Sequence, residues 1–269
     1  MYRFGLNVLT AMLFCCAASL AAAGQDQTQP QHPLPTVQPP SPSSSAQDLE
    51  TQGDTLRAEK DYLDAIDYYT MALDKEESAV LHNKMGVALL QLSKFSDARR
   101  QFERAIKMDK SLPEAHNNLA VTFYVRKQYG SAVKEYLRAI KLNPDSAPFH
   151  SNLGSAYFSA KDFNKATREY ARAMQIDPNI FDPSPSGGVS VKLATEGDRA
   201  YFHYMIAKMY GSQGDQEHCR LYLSKANEEG YRVRDALKDP EFSGLRKDPA
   251  FVEFVRSLKP PLSPLEANN

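Results

Sequence analysis

Small and aromatic positions recur along the middle of the chain with a period of 33 or 34 residues. Two alanine series follow this period: Ala65, Ala98, Ala132, Ala166, and Ala72, Ala105, Ala139, Ala173. Two aromatic series follow it as well: Tyr62, Phe95, Tyr129, Phe163, and Tyr69, Phe102, Tyr136, Tyr170. A fifth series contains only small residues: Gly53, Gly86, Ala120 and Gly154. Five series in phase over four copies predict a tandem repeat.

Each repeat is predicted to be a helical hairpin. The two aromatic series lie seven residues apart within a repeat, as in Tyr62 and Tyr69, which places both rings on one face of a helix. The small residue early in each repeat would let two helices approach closely, and the first alanine series would mark their crossing point. We expect the aromatic rings to fill the space between neighbouring hairpins. Asn143 and Asp177 each precede a proline, which ends the third and fourth repeats.

Segments 115–120 and 139–144 carry the residues by which residues 46–178 resemble the tetratricopeptide repeat (TPR), a family with a period of 34 residues. The resemblance implies an all-α, right-handed superhelical solenoid of four helix-turn-helix hairpins. The first repeat departs from the family pattern because it is one residue short and has Glu77 where proline is usual. A large aromatic residue early in the first helix is replaced by histidine, at His82, His116 and His150.

The first residues, 1–24, are predicted to be a signal peptide. Arg3 is followed by a mostly apolar stretch, and small residues around Ala23 offer a cleavage site. Two alternatives are a retained membrane anchor and a lipid-modified form, although Phe14 before Cys15 fits a lipid-attachment site poorly. The chain is therefore expected to be exported, in the periplasm of a bacterium or secreted, with no membrane span after cleavage.

Residues 25–45 are rich in Pro, Gln and Ser and are predicted to be a disordered linker, because they can bury little apolar surface. A Pro- and Gly-containing loop insertion is expected at 179–199, followed by a fifth, TPR-like hairpin at 200–229. Residues 230–259 are predicted to be capping helices that cover the last apolar face of the solenoid. Residues 260–269 would be a tail.

Composition and motifs argue against nucleic-acid binding and against catalysis. Lys plus Arg total 32 and Asp plus Glu total 33, so the chain lacks the excess of positive charge that phosphate binding requires. No phosphate-binding glycine loop, HExxH pair, CxxC pair or serine-hydrolase motif is present in the sequence. We therefore predict no catalytic residues, no cofactor, no metal and no enzyme activity. Cys219 is expected to be a small buried residue.

The histidines share one register, in which His203 of the fifth hairpin joins His82, His116 and His150. A metal-binding or pH-sensing ladder is one hypothesis. Helix axes about 8–10 Å apart would keep two such imidazoles from one ion, which needs each nitrogen at about 2 Å. The favoured interpretation is a shared structural position in which the ring is semi-buried and makes a hydrogen bond.

The concave surface of the solenoid is the predicted binding site. It would be formed by the first helix of each hairpin and lined by these residues: Asn83, Lys84, Val87, Asn117, Asn118, Val121, Tyr124, Asn152, Ser155 and Phe158. In peptide-binding TPR proteins an asparagine in the register of Asn118 and Asn152 pairs with the ligand backbone. The alternative is that these asparagines are simply common residues of the repeat. Lys84 would favour an acidic group at one end of the site.

The predicted function is that of a scaffold for protein or extended peptide partners, without catalysis of its own. An accessory or regulatory subunit of an envelope enzyme or assembly complex is the alternative function, and an enzyme with an unrecognised site is a further one. The identity of the partner is not encoded in any recognisable motif.

Overall fold

A computed structural model describes residues 41, 43–181 and 196–258. The chain divides into two units, Met1–Ser41 and Pro42–Asn269, and every helix described below belongs to the second. The predicted signal peptide, nearly all of the linker, most of the loop insertion and the tail lie outside the described residues. Within the described ranges, no helix combines the length and apolar character that crossing a membrane requires.

Eight helices form four consecutive hairpins, and the described residues contain no strand. Their bounds are α1 Ala46–Ala58, α2 Tyr62–Lys75, α3 Ala79–Gln91, α4 Phe95–Met108, α5 Pro113–Val125, α6 Tyr129–Leu142, α7 Ala147–Ser159 and α8 Phe163–Ile176. Within each hairpin the two helices are in extensive contact, and each second helix also contacts the first helix of the next hairpin. The predicted all-α solenoid of tandem hairpins is confirmed.

The two helices of each hairpin are joined by a tight turn in which one residue has a positive φ. In the first turn Lys60 has φ 71°, and the following Asp61 donates its backbone N–H to the carbonyl of Leu56 at 2.9 Å. Asp61 is the third residue after the end of α1, and its bond to a carbonyl five positions back is the Schellman arrangement. The same bond recurs in the other three hairpins, after the positive-φ residues Ser93, Lys127 and Lys161.

The rings of the second aromatic series lie against the small residues of their own hairpin and also reach the next hairpin, where Phe102 packs with Leu119. The expectation that the aromatic rings fill the space between hairpins is therefore incomplete, because it omits the contact inside each hairpin. The ring of Phe102 on α4 rests directly on Gly86 of α3, where an added Cβ would lie 2.5 Å from a ring carbon. Tyr69 and Tyr170 occupy the same place over Gly53 and Gly154. The small-residue series therefore exists because a ring of the partner helix takes the volume of the missing side chain.

Replacing Ala132 with leucine is expected to lower the free energy of unfolding by about 1–3 kcal/mol through overpacking. Ala132 is fully buried at the crossing of α6 with α5, so the added carbons have no space to enter. Chemical denaturation of both proteins measures the difference. A midpoint equal to that of the original protein would show that the crossing point lies elsewhere.

A fifth hairpin follows, with α9 at Glu196–Gln213 and α10 at Gln216–Glu228. Its first helix begins four residues before the predicted start at 200. Gly214 has the positive φ of its turn, and Asp215 donates to Tyr210 in the same arrangement as in the other hairpins.

The segment after the fifth hairpin is less regular than the capping helices predicted at 230–259. It consists of three short 3₁₀ helices and one α-helix: Val233–Lys238, Pro240–Phe242, Leu245–Lys247 and α11 Pro249–Ser257. Phe242, Phe251 and Val255 are fully buried in one cluster with side chains of α9 and α10. Asp248 caps α11 through Ala250 N–H as its Asp-Pro sequence predicts, whereas Asp239 does not cap the turn that follows it.

Candidate functional site

The first helices of hairpins one to four lie side by side and are linked by side-chain hydrogen bonds. Asn118 Nδ2 donates to Asn83 Oδ1 at 3.0 Å between α5 and α3, and Asn152 Nδ2 donates to Asn117 Oδ1 at 2.9 Å between α7 and α5. Asn117 Nδ2 also donates to Asn118 Oδ1 at 3.1 Å, which joins the two bonds into one chain. The predicted asparagines thus form a continuous amide network that holds three successive helices in register.

Lys84 is bound within the chain, which corrects the expectation that it attracts an acidic group from a partner. Its Nζ lies 2.6 Å from Glu50 Oε1 and 2.5 Å from Asp54 Oδ2, both on α1. Burial alone would lower the pKa of Lys84, but its hydrogen bonds to Asp54 and Glu50 outweigh burial and raise that pKa. A partner's carboxylate would have to compete with two carboxylates already in place. The sequence carries a signal for this pairing, since Glu50 lies about one repeat length before Lys84.

Four of the predicted surface residues are buried. Phe158 is only 1% exposed, because it packs against Phe163 and against two aromatic rings of α9, Tyr201 and Phe202. Ser155 is buried under the hydroxyl of Tyr170, which donates to it at 3.2 Å. Asn117 and Asn152 are buried by the amide network described above. The expectation that all ten side chains line the accessible concave surface is wrong for these four.

The side chains that remain partly accessible form a small uncharged surface on α3 and α5. They are Asn83, Val87, Asn118, Val121 and Tyr124. The Tyr124 hydroxyl is 2.9 Å from Ser159 Oγ on α7, and burial of the ring raises the pKa of Tyr124 above its ordinary value. We call this surface, together with Val125 at the end of α5, the inner surface. It combines two amides with apolar side chains and carries no charge of its own.

In hairpins two to four, the histidine of the shared register contacts the second helix of its own hairpin. Nδ1 of His116 lies 2.9 Å from Glu135 Oε2 and that of His150 lies 2.7 Å from Glu169 Oε2, while His82 Nδ1 faces Gln101 Oε1 at 2.6 Å. The partner is nineteen residues later in all three repeats. The structure therefore places these rings in the structural position that the sequence favoured.

Other reactive groups are similarly enclosed. Burial raises the pKa of Cys219 to about 12, so the thiol stays protonated at neutral pH and lacks the thiolate that a nucleophile requires. Burial also lowers the pKa of His203, against the opposing effect of Glu229 at 2.7 Å. Across residues 43–181 and 196–258, no three His, Cys, Asp or Glu side chains come together in a way that could hold a metal ion.

Comparison with protein families decides the type of repeat. Two models, both described as tetratricopeptide repeat, match the chain at residues 83–147 and 147–180. The chain contains tetratricopeptide repeats. These matches cover hairpins two to four, the part of the TPR solenoid that carries the amide network and the inner surface. Comparison with curated proteins gave no match.

Several solved TPR structures are similar to this chain. MamA from Desulfovibrio magneticus RS-1 is 17% identical with a TM-score of 0.49, over 67% of this chain and 92% of that one. YrrB, described as a TPR protein with an unusual peptide-binding site, is 16% identical with a TM-score of 0.46, over 80% and 93%. The first TPR of Spaghetti (RPAP3), bound to an HSP90 peptide, is 22% identical with a TM-score of 0.38, over 47% and 94%.

Proposed function

We propose that this chain is a non-catalytic scaffold that binds an extended segment of a partner protein along the inner surface. The observation that carries the proposal is the combination of amide and apolar side chains there. An asparagine side chain has two N–H donors and two acceptor lone pairs. Asn83 uses one of these in the amide network and Asn118 uses two, so both retain groups that can bond a peptide backbone. Val87, Val121 and Tyr124 supply the adjoining apolar contact, as peptide sites require.

The charged residues near the inner surface indicate which partner segments could bind there. Lys84 is the only charged residue among the ten predicted from the sequence, and Glu50 and Asp54 already balance it. A charged partner side chain placed over Val87 and Val121 would be desolvated without an opposite charge, which is unfavourable. The partner segment is therefore expected to be uncharged where it crosses α3 and α5, and its affinity should change little with salt concentration.

Titration calorimetry with fragments of the partner tests whether a segment is what binds. The partner would first be captured by crosslinking in intact cells and identified. We expect one linear fragment of roughly ten residues to retain most of the affinity of the whole partner, since an extended chain spans about 3.3 Å per residue. Binding that requires a folded domain of the partner, with no active linear fragment, would contradict the proposal.

We further propose that the chain acts outside the cytoplasm and belongs to a bacterial envelope. The support is the sequence of the first 24 residues, where a positive charge, an apolar stretch and small residues follow in order. The chain would then meet its partners in the periplasm or outside the cell.

Processing close to Ala23 is expected if the chain is exported, because the small residues there precede Gly24. N-terminal sequencing of the mature protein from its native cell measures this directly. A mature protein that still begins at Met1 would contradict export by cleavage. A start at Cys16 would instead support the lipid-modified alternative.

A further inference from the structure

The first helix of the fifth hairpin already has a segment bound on a face that overlaps the position of the inner surface. By the register that also aligns the histidines, Lys208 and Gly211 of α9 correspond to Val121 and Tyr124 of the inner surface two repeats earlier, and Tyr204 corresponds to the buried Asn117. The short 3₁₀ turn Pro240–Phe242 packs on α9 at this place. The chain therefore covers this face with its own C-terminal part.

The contacts between the turn and α9 are specific. Lys208 Nζ lies 3.1 Å from Asp239 Oδ2 and 3.0 Å from Glu241 Oε1, so one ammonium group bridges two carboxylates. The Tyr204 hydroxyl donates to Asp239 Oδ2 at 2.7 Å. Phe242 is fully buried over Gly211, where an added Cβ would lie 2.6 Å from its ring. The face thus recognises two carboxylates followed by an aromatic ring.

The contact between the turn and α9 leaves one polar atom without a hydrogen bond. Glu241 Oε2 is buried without a hydrogen-bond partner among the described residues, and a buried acceptor without a donor destabilises the arrangement that contains it. The side chains of Asp239, Glu241 and Lys208 each keep roughly a third of their surface in water. The turn is three residues of 3₁₀ helix, whose hydrogen-bond geometry is poorer than that of an α-helix.

We propose that the face formed by Tyr204, Lys208 and Gly211 is a second binding site, distinct from the inner surface, for a short acidic segment that ends in an aromatic residue. Residues Asp239–Phe242 occupy it within the chain, and a partner segment with two carboxylates and a following aromatic ring binds there by displacing them. The partner's affinity is then reduced by the fraction of molecules in which the site is closed.

A synthetic peptide with the sequence of residues 236–244 is the probe, and the full chain is the receptor. The substitutions Asp239→Asn and Glu241→Gln weaken the competing turn without changing its shape or Phe242. The labelled peptide should bind this double variant at least about tenfold more tightly than the original chain, because more molecules have an open site. Adding Lys208→Gln should reverse that gain, and a peptide with Asn and Gln in place of its Asp and Glu should bind neither protein well.

Equal peptide affinities for the original chain and the double variant would overturn the proposal, provided that circular dichroism shows both to be folded. The proposal would also be overturned if the double variant kept its higher peptide affinity after Lys208→Gln was added. Hydrogen exchange of the original chain, measured with and without the peptide, provides a second test that needs no substitution. The backbone N–H groups of Phe242 and Ser243 bond to Asp239 and Pro240 in the closed site. Millimolar peptide should speed their exchange, and unchanged rates would also overturn the proposal.

Discussion

Replacing Phe102 with alanine is expected to lower the free energy of unfolding by about 3–5 kcal/mol, the range for removing a fully buried phenylalanine. The ring is buried against Gly86 and packs in one cluster with Leu89, Ala98 and Leu119. Gly86 has no side chain that could fill the resulting cavity, and the neighbouring helices are fixed by their own hairpins. Since each repeat is supported by the next, the loss should extend beyond the second hairpin.

Denaturant unfolding followed by circular dichroism measures this effect, and Phe95→Ala on the same helix is the matched control. Phe95 is only partly buried, so its removal should cost clearly less than that of Phe102. Equal losses at the two positions would mean that the ring on Gly86 is not the main contact between α3 and α4.

Replacing Val87 and Val121 together with glutamate is expected to weaken partner binding by at least about thirtyfold, or roughly 2 kcal/mol. The change removes apolar contact at the centre of the inner surface and adds two carboxylates to a surface beside Lys84, whose ammonium group is already paired with Glu50 and Asp54. Both valines are only partly buried, so the hairpins themselves should keep their fold.

Leu137→Glu is the control for this experiment, since it places the same charge on an exposed position of α6, outside the inner surface. Calorimetry should give the original affinity for this variant. If the two valine substitutions leave the affinity unchanged while Leu137→Glu reduces it, the partner binds the outer helices.

The hairpins could be predicted from the sequence because small and aromatic residues recur in it with a fixed period. The structure has helices α1 to α8 in the four repeats that this period defines. The contact of the rings inside their own hairpin could not be predicted. The spacing of Phe102 in the sequence does not show that its ring packs on Gly86 as well as with Leu119 of the next hairpin. This contact depends on the close approach of the α3 backbone at Gly86.

The contacts of the candidate site could not be predicted from the repeat pattern alone. The predicted positions lie on the first helices α3, α5 and α7, but the contacts that their side chains make depend on neighbours outside the repeat. Phe158 is buried because α9 of the fifth hairpin brings Tyr201 and Phe202 against it, and the loop insertion before this hairpin breaks the period that would have aligned these residues. Asp239 precedes a proline as Asp248 does, but its carboxylate pairs with Lys208 of α9 and caps no helix.

The central claim is that a partner segment lies on the inner surface, and site-specific photocrosslinking in intact cells tests it most directly. One photoreactive residue would replace Val125, and in a second protein it would replace Leu137, since these side chains are similarly exposed at 42% and 46%. Val125 lies one helical turn beyond Val121 on the same helix face. We predict that a partner is crosslinked through a linear segment at position 125 and not at position 137. Crosslinking at 137 alone would contradict the account.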